Sequence, residues 1–205
     1  MIMNRRVILF DIDKTLLNPY LILKDLGNEI KNKFHKNVDI LEVHAEYVKK
    51  LESSTDFDAK DFLIFLSKKT EISFDKLNKY FYNSKLWESY VYEGTKELLD
   101  KIKFDFDLGI FSEGFDVSQN EKLEMSKLDI FFKKDLLFIS RRKLNNDFLK
   151  TLPKKAIVVD DKKEVMETLK QLRPDLELIW INRTNDEKME NVKIIKSLKE
   201  LENFI

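Results

Sequence analysis

The sequence predicts an α/β fold, a Rossmann-like three-layer sandwich with a parallel sheet, carrying an inserted all-helical cap domain. Three observations lead there. Short apolar runs recur as continuous rather than alternating segments, the mark of strands buried on both faces of a parallel sheet. Helical patterns lie between them, the rhythm of a doubly wound sheet. One connection is far longer than a crossover helix requires, with roughly 95 residues between the first apolar run and the second.

The runs expected as strands are Val7 to Phe10, Leu108 to Phe111, Leu136 to Ile139, Ala156 to Val159, Leu176 to Ile181 and Val192 to Ile195. Helices are expected over Thr95 to Lys103, Gln119 to Leu128, Asp147 to Leu152, Lys163 to Leu172 and Ser197 to Phe204. In the long gap, Ile22, Leu26, Ile30 and Phe34 recur every fourth residue, and His44, Tyr47, Val48 and Leu51 continue at helical spacing. Phe62, Phe65 and Leu66 form a third apolar face, and Ser73 is placed to cap a further helix carrying Leu77 and Phe81. The expected division is a core of residues 1–17 and 91–205, with a helical cap over residues 18–90.

Composition narrows the function classes. The chain of 205 residues is long enough for one core with a smaller inserted domain. Its 37 basic and 37 acidic residues cancel, so no overall field draws it to nucleic acid or to an anionic membrane. The absence of cysteine removes disulfides, thiolate nucleophiles and cysteine metal sites, and fits a reducing compartment. The opening Met1-Ile2-Met3-Asn4-Arg5-Arg6 runs into an apolar stretch too short for a signal peptide or a membrane span. A cytoplasmic protein is expected, with no nucleic-acid and no membrane partner; a monomer or a cap-mediated dimer would both be ordinary.

Asp11 and Asp13 follow the first strand, at the carboxyl edge where open α/β sheets place ligands. Two carboxylates held close repel, which favours a cation between them or a shared proton. On the pair alone, a solvated loop, the metal-binding Asp-x-Asp of a nucleotide-sugar glycosyltransferase, or the acidic cluster of a receiver domain fits as well. The surrounding Phe10-Asp11-Ile12-Asp13-Lys14-Thr15-Leu16-Leu17 resembles the first motif of the haloacid dehalogenase-like superfamily, Asp-x-Asp-x-Thr. The resemblance runs on in order. Tyr92 to Leu99 is similar to the turn and helix before the second motif, and Ile110-Phe111-Ser112-Glu113-Gly114 to that motif itself. Ile157-Val158-Val159-Asp160-Asp161 resembles the fourth.

The resemblance implies a phosphatase with a helical cap and Mg2+ as cofactor, acting on a small phosphorylated metabolite. Asp11 would be the nucleophile and Asp13 the general acid/base, an aspartate that the superfamily's dehalogenases and ion-pumping ATPases lack. Ser112 would hydrogen-bond a phosphoryl oxygen, with Thr15, Glu113 and Gly114 also lining the substrate site. Asp11, the Asp13 carbonyl and Asp161 would hold the metal, and Asp160 would support it through water. The third motif, a lysine, departs from its usual Lys-Pro form; Lys143 is the choice, with Arg142 and Lys150 as rivals. A phosphomutase of the same architecture and a non-enzymatic protein that keeps the fold are the alternatives. Glu164 is taken as helix-start electrostatics. His35, His44 and Trp180 are taken as structural, and the aromatic residues between Phe57 and Tyr82 as the core of the cap.

Overall fold

A computed structural model describes residues 5–205; residues 1–4, which the sequence assigns to the core, lie outside the described residues. Six strands form one parallel sheet: β1 (Arg6–Phe10), β2 (Phe106–Glu113), β3 (Leu137–Ser140), β4 (Ile157–Asp160), β5 (Glu177–Ile181) and β6 (Lys193–Ile195), in the order β3-β2-β1-β4-β5-β6. The chain leaves β1 toward β2 and β3, then returns to place β4 on the other side of β1. That reversal makes the carboxyl ends of β1 and β4 the crevice of the sheet.

Alternate strand residues supply two cores, as the period of a strand requires. Ile8, Phe10, Ile110, Ile157, Val159 and Ile179 face one side, with α6 (Thr95–Ile102) and α7 (Asp116–Ser126). Leu9, Phe111, Val158, Leu178 and Trp180 face the other, with α8 (Asn146–Leu149) and α9 (Lys163–Leu172). Burial on both faces explains why the strands read as unbroken apolar runs. Gly109 lets β2 pass close to the next connection, since a Cβ there would lie 2.5 Å from the Leu136 carbonyl oxygen.

Between β1 and α6 lie five α-helices, α1 (Pro19–Phe34), α2 (Ile40–Val48), α3 (Ala59–Thr70), α4 (Phe74–Phe81) and α5 (Ser84–Ser89), with a 3-10 turn at Ser54–Asp56. Asn18 caps α1 by accepting from the Tyr20 N–H, and Pro19 stands at the first helical position, where its missing N–H costs nothing. The two connections to this insert run side by side. Asn18 N–H donates to the Tyr90 carbonyl at 2.8 Å and Tyr92 N–H to the Leu16 carbonyl at 3.0 Å, around an antiparallel bridge from Leu17 to Val91.

Several sequence expectations are corrected. Ser197 to Phe204 is a 3-10 helix over Leu198–Asn203, with its buried residues Leu198 and Leu201 three apart, a spacing the tighter helix accommodates. The helix expected from Asp147 to Leu152 is the single turn α8; Pro153 biases the residue before it away from helix. α7 begins three residues earlier than Gln119. Ser73 occupies the N-cap position of α4 without a side-chain capping bond, and Leu51 lies in a bend beyond α2. The short α5, capped by Asn83, was not expected.

Candidate active site

Residues from every strand around the crevice converge. Asp11 follows β1 directly, and its N–H donates to the Val159 carbonyl of β4 at 2.9 Å. Ser112 is the penultimate residue of β2, Asp160 ends β4, and Lys143 lies on the turn after β3. Asp11, Ser112, Lys143 and Asp160 are all buried.

Lys143 is the hinge of the cluster. Its Nζ donates to Asp11 Oδ1 at 2.8 Å and to Asp160 Oδ2 at 2.5 Å, 5.0 Å from the centre of the Phe111 ring. Burial works to lower its ammonium, but the Asp11 and Asp160 charges outweigh this and hold it above its ordinary range. For Asp11 burial dominates and pushes the carboxyl up, against the opposing pull of Lys143. Ser112 Oγ donates to the same Asp11 oxygen at 3.2 Å. Asp11 Oδ2 accepts no hydrogen bond among the described residues.

β1 ends at Phe10, so Asp11 and Asp13 flank a bend at Ile12 rather than continuing the strand. Asp13 Oδ2 pairs with Lys122 Nζ of α7 at 2.5 Å. Lys14 adopts a left-handed φ of 61°, a conformation uncommon for a residue with a Cβ, and its N–H closes onto the Leu17 carbonyl at 2.7 Å. The guanidinium of Arg183 holds this bend, donating to the Lys14 and Thr15 carbonyls and stacking 3.8 Å from the centre of the Tyr92 ring. The Ile12 and Asp13 N–H groups have no acceptor among the described residues, and the buried Thr15 hydroxyl has no partner.

The donor set fits a hard divalent cation. Oxygens of Asp11, Asp160 and Asp161 lie within 4.8 Å of one another. Asp161 Oδ1 and Asp13 Oδ1 are sealed from solvent with no hydrogen-bond donor among the described residues. Burial, then the neighbouring Asp160, push the Asp161 carboxyl up to about 6, outweighing the opposing pull of Lys14, Lys143 and Lys162. Asp160 differs. Its Oδ2 takes Lys143 and its Oδ1 takes the Lys162 N–H at 2.9 Å, which leaves Asp161 with the free oxygen. Neither aspartate caps α9, whose N-cap position is Lys162. Trp180 Nε1 donates to the Asp161 carbonyl at 2.8 Å and fixes the loop.

The remaining candidates divide by place. Glu113 pairs with Lys162 at 3.0 Å. Gly114 N–H is already committed to the Ser140 carbonyl at 3.0 Å; its φ of 145° suits glycine, and a Cβ would lie 2.3 Å from Gln119 Nε2. Arg142 points away from Asp11, bonding Thr55 and Asp56 of the insert, and Lys150 pairs with Asp147 in solvent. His35 ends α1 in a left-handed conformation. His44 packs against Phe57 and Phe62 at 5.4 and 5.5 Å, and burial lowers its imidazole below the ordinary range. Glu164 lies in the first turn of α9.

Sequence reasoning missed Lys122, Lys162 and Arg183. Lys162 adjoins the Asp160-Asp161 pair, and Arg183 lies just beyond the carboxyl end of β5, so the strand-end rule could have found both. Lys122 lies within a helix and carries no such signal.

No protein-family model matches the sequence, and no curated protein matches it. Solved structures do. A HAD phosphatase from Thermococcus onnurineus is 21% identical, with 97% of this chain and 96% of that chain covered and a TM-score of 0.60. YfnB of Bacillus subtilis, assigned as a HAD-hydrolase and solved bound to magnesium, is 18% identical over 97% of each chain, with a TM-score of 0.65. The L-2-haloacid dehalogenase of Xanthobacter autotrophicus with chloropropionic acid covalently bound is 10% identical over 97% of each chain, at 0.63. At these identities the likeness is one of fold, and it spans nearly the whole chain.

Proposed function

On the fold shared with the haloacid dehalogenase-like hydrolases, we propose that this protein is a magnesium-dependent phosphatase, hydrolysing a small phosphorylated metabolite through an aspartyl-phosphate on Asp11. The observation that carries the reading is Lys143, a fully buried ammonium between Asp11 and Asp160. Buried ion pairs of this kind are often no more stabilising than apolar packing, so their presence in a ligand crevice argues for chemistry.

In the first half-reaction Asp11 Oδ2, the oxygen without a hydrogen bond, attacks phosphorus as the bond to the alcohol oxygen breaks. Asp13 gives the departing oxygen its proton, and Lys122 holds the Asp13 carboxyl in place. Lys143, Ser112 Oγ and the free N–H groups of Ile12 and Asp13 carry the negative charge of the phosphoryl oxygens. In the second, Asp13 takes a proton from water as the water attacks phosphorus, releasing inorganic phosphate and restoring Asp11. Asp11, the Asp13 carbonyl and Asp161 would hold a magnesium ion, which would supply positive charge to offset that of the phosphoryl group. Asp160 positions Lys143. The carboxylate at position 13 favours phosphate-ester cleavage over dehalogenation, which needs no proton donor to an alcohol.

The insert, joined through the paired segments at Leu16–Asn18 and Tyr90–Tyr92, acts as a cap that excludes water during transfer. The test is hydrolysis of p-nitrophenyl phosphate with magnesium, lost on chelation and abolished in Asp11→Asn. Equal turnover in that variant rules the mechanism out. Release of inorganic phosphate rather than an isomerised ester separates hydrolase from mutase.

A further inference from the structure

Resting on the phosphatase reading, we infer that the alcohol portion of the substrate is an apolar, ring-bearing group rather than a polyhydroxylated one such as a sugar. The space for it is a cavity of about 330 Å3 between the helical insert and the sheet edge, bordered by Asp13 and Lys14. That lies at the small end of ligand pockets, which span roughly 300–1,000 Å3.

Its walls are Ile22 and Leu23 from α1, Phe57, Phe81, Trp87 and, from the core, Met125. Most of the polar groups along it are already joined to neighbours, while Asp13 Oδ1 and Gln119 Oε1 are buried without a partner among the described residues. Trp87 Nε1 donates to the Phe81 carbonyl at 2.5 Å, leaving the indole only its apolar faces. Tyr82 donates to Glu121 Oε2 at 3.0 Å, and Lys60 meets Glu121 Oε1 at 3.2 Å. Ser118 donates to Asp58, Gln119 Nε2 to the Glu113 carbonyl, and Lys122 to Asp13. The several hydroxyls of a sugar would lose water here and find few free partners, whereas an aromatic ring needs none. His44, Gln119 Oε1 and Lys14 Nζ, which make no hydrogen bond among the described residues, offer points for one or two polar substituents on that ring.

Turnover of 2-phenylethyl phosphate and of glucose 6-phosphate, with magnesium, is the direct comparison, because both leave as ordinary alcohols and differ in polarity. In parallel, binding of 2-phenylethylphosphonate and of inorganic phosphate to Asp11→Asn is followed through tryptophan fluorescence, Trp87 being in the wall. The expected result is at least a tenfold preference in kcat/KM for the apolar ester, about 1.4 kcal/mol, with the phosphonate binding tighter than phosphate. Met125→Gln, which puts an amide into the wall, should narrow that preference through KM. Equal or faster turnover of glucose 6-phosphate overturns the inference and leaves the phosphatase reading standing. Tight phosphonate binding without turnover of any ester in the wild type sinks the phosphatase reading while the ligand class survives; neither binding nor turnover overturns both.

Discussion

Lys143 Nζ lies 2.5 Å from Asp160 Oδ2, with both side chains fully buried, and the same ammonium reaches Asp11 at 2.8 Å. One cation thus serves two carboxylates held at the ends of adjacent strands. Removing one partner of such a set leaves buried charge without compensation and costs about 3–5 kcal/mol. Lys143→Met keeps the aliphatic bulk and should lose stability of that size in urea unfolding near neutral pH, together with measurable turnover. Arg142→Ala and Lys150→Ala, at solvent-screened ion pairs, should each leave stability close to that of the wild type. Wild-type stability in Lys143→Met would mean that the two carboxylates need no cation.

Asp161 links stability to pH and to metal. A carboxyl raised to about 6 binds a proton in the folded state that the unfolded chain does not hold. Its favourable contribution is complete below the ordinary value of 3.8 and is lost as pH rises through about 6. The raised Asp11 acts in the same direction. The metal-free protein should therefore lose stability between about pH 4 and 7, on the order of 3 kcal/mol from Asp161 alone. Asp161→Asn should flatten that slope and be more stable than the wild type at neutral pH without metal. It should also lose the rise in Tm that magnesium gives the wild type. Thermal melts across pH, with and without magnesium, check both; an undiminished magnesium shift in the variant would remove Asp161 from the ligand set.

The parts of this site that were legible in the sequence are those fixed by local pattern. Each strand is buried on both faces, so its apolar run shows without knowledge of its neighbours, and Asp11, Ser112 and Asp160 are located by the ends of those runs. Arg141, Arg142 and Lys143 were a harder case, because three consecutive cations give no sign of direction. The turn after β3 decides it: Arg141 and Arg142 go outward to Asp56, and Lys143 goes inward. The Lys122–Asp13 contact joins residues more than a hundred positions apart, and nothing local marks Lys122 within its helix; Arg183, as distant from Lys14, is marked only by its place beyond the end of β5. The tight turn at Leu198–Asn203 read as an α-helix because buried residues three apart satisfy both periods.

Trp180 has a second use beyond filling the core. Its indole N–H fixes the Asp161 carbonyl at 2.8 Å, so it orients the residue proposed to hold the metal. Trp180→Phe keeps most of the apolar volume and removes the donor. The expected cost is about 1 kcal/mol of stability for the lost hydrogen bond. Support of this kind typically changes metal affinity by about 10–100-fold, so magnesium binding by calorimetry should weaken at least to the lower figure. Unchanged affinity alongside the stability loss would leave Trp180 with a packing role alone.

Asp56 is the anchor between the insert and the end of β3. It lies in the 3-10 turn Ser54–Asp56 and takes both Arg141, at 2.5 Å, and Arg142, at 3.1 Å, while Arg142 also donates to Thr55 Oγ1. Arg142 first, then Arg141, hold its carboxyl down at about 2, so the anchor's contribution is present above the ordinary value of 3.8 and is lost only as pH falls through about 2. Near neutral pH the contact is therefore fully charged, and salt rather than acid is the means of releasing it. If it helps keep the insert closed over the site, Asp56→Asn should raise KM by roughly threefold, the scale of an exposed ion pair, with little change in kcat. Salt near 1 M, where the screening length is about 3 Å, should raise the wild-type KM toward that of the variant. The variant's own KM should then be nearly insensitive to salt. Parallel salt curves for the two proteins would show that the Asp56 contact has no part in closure.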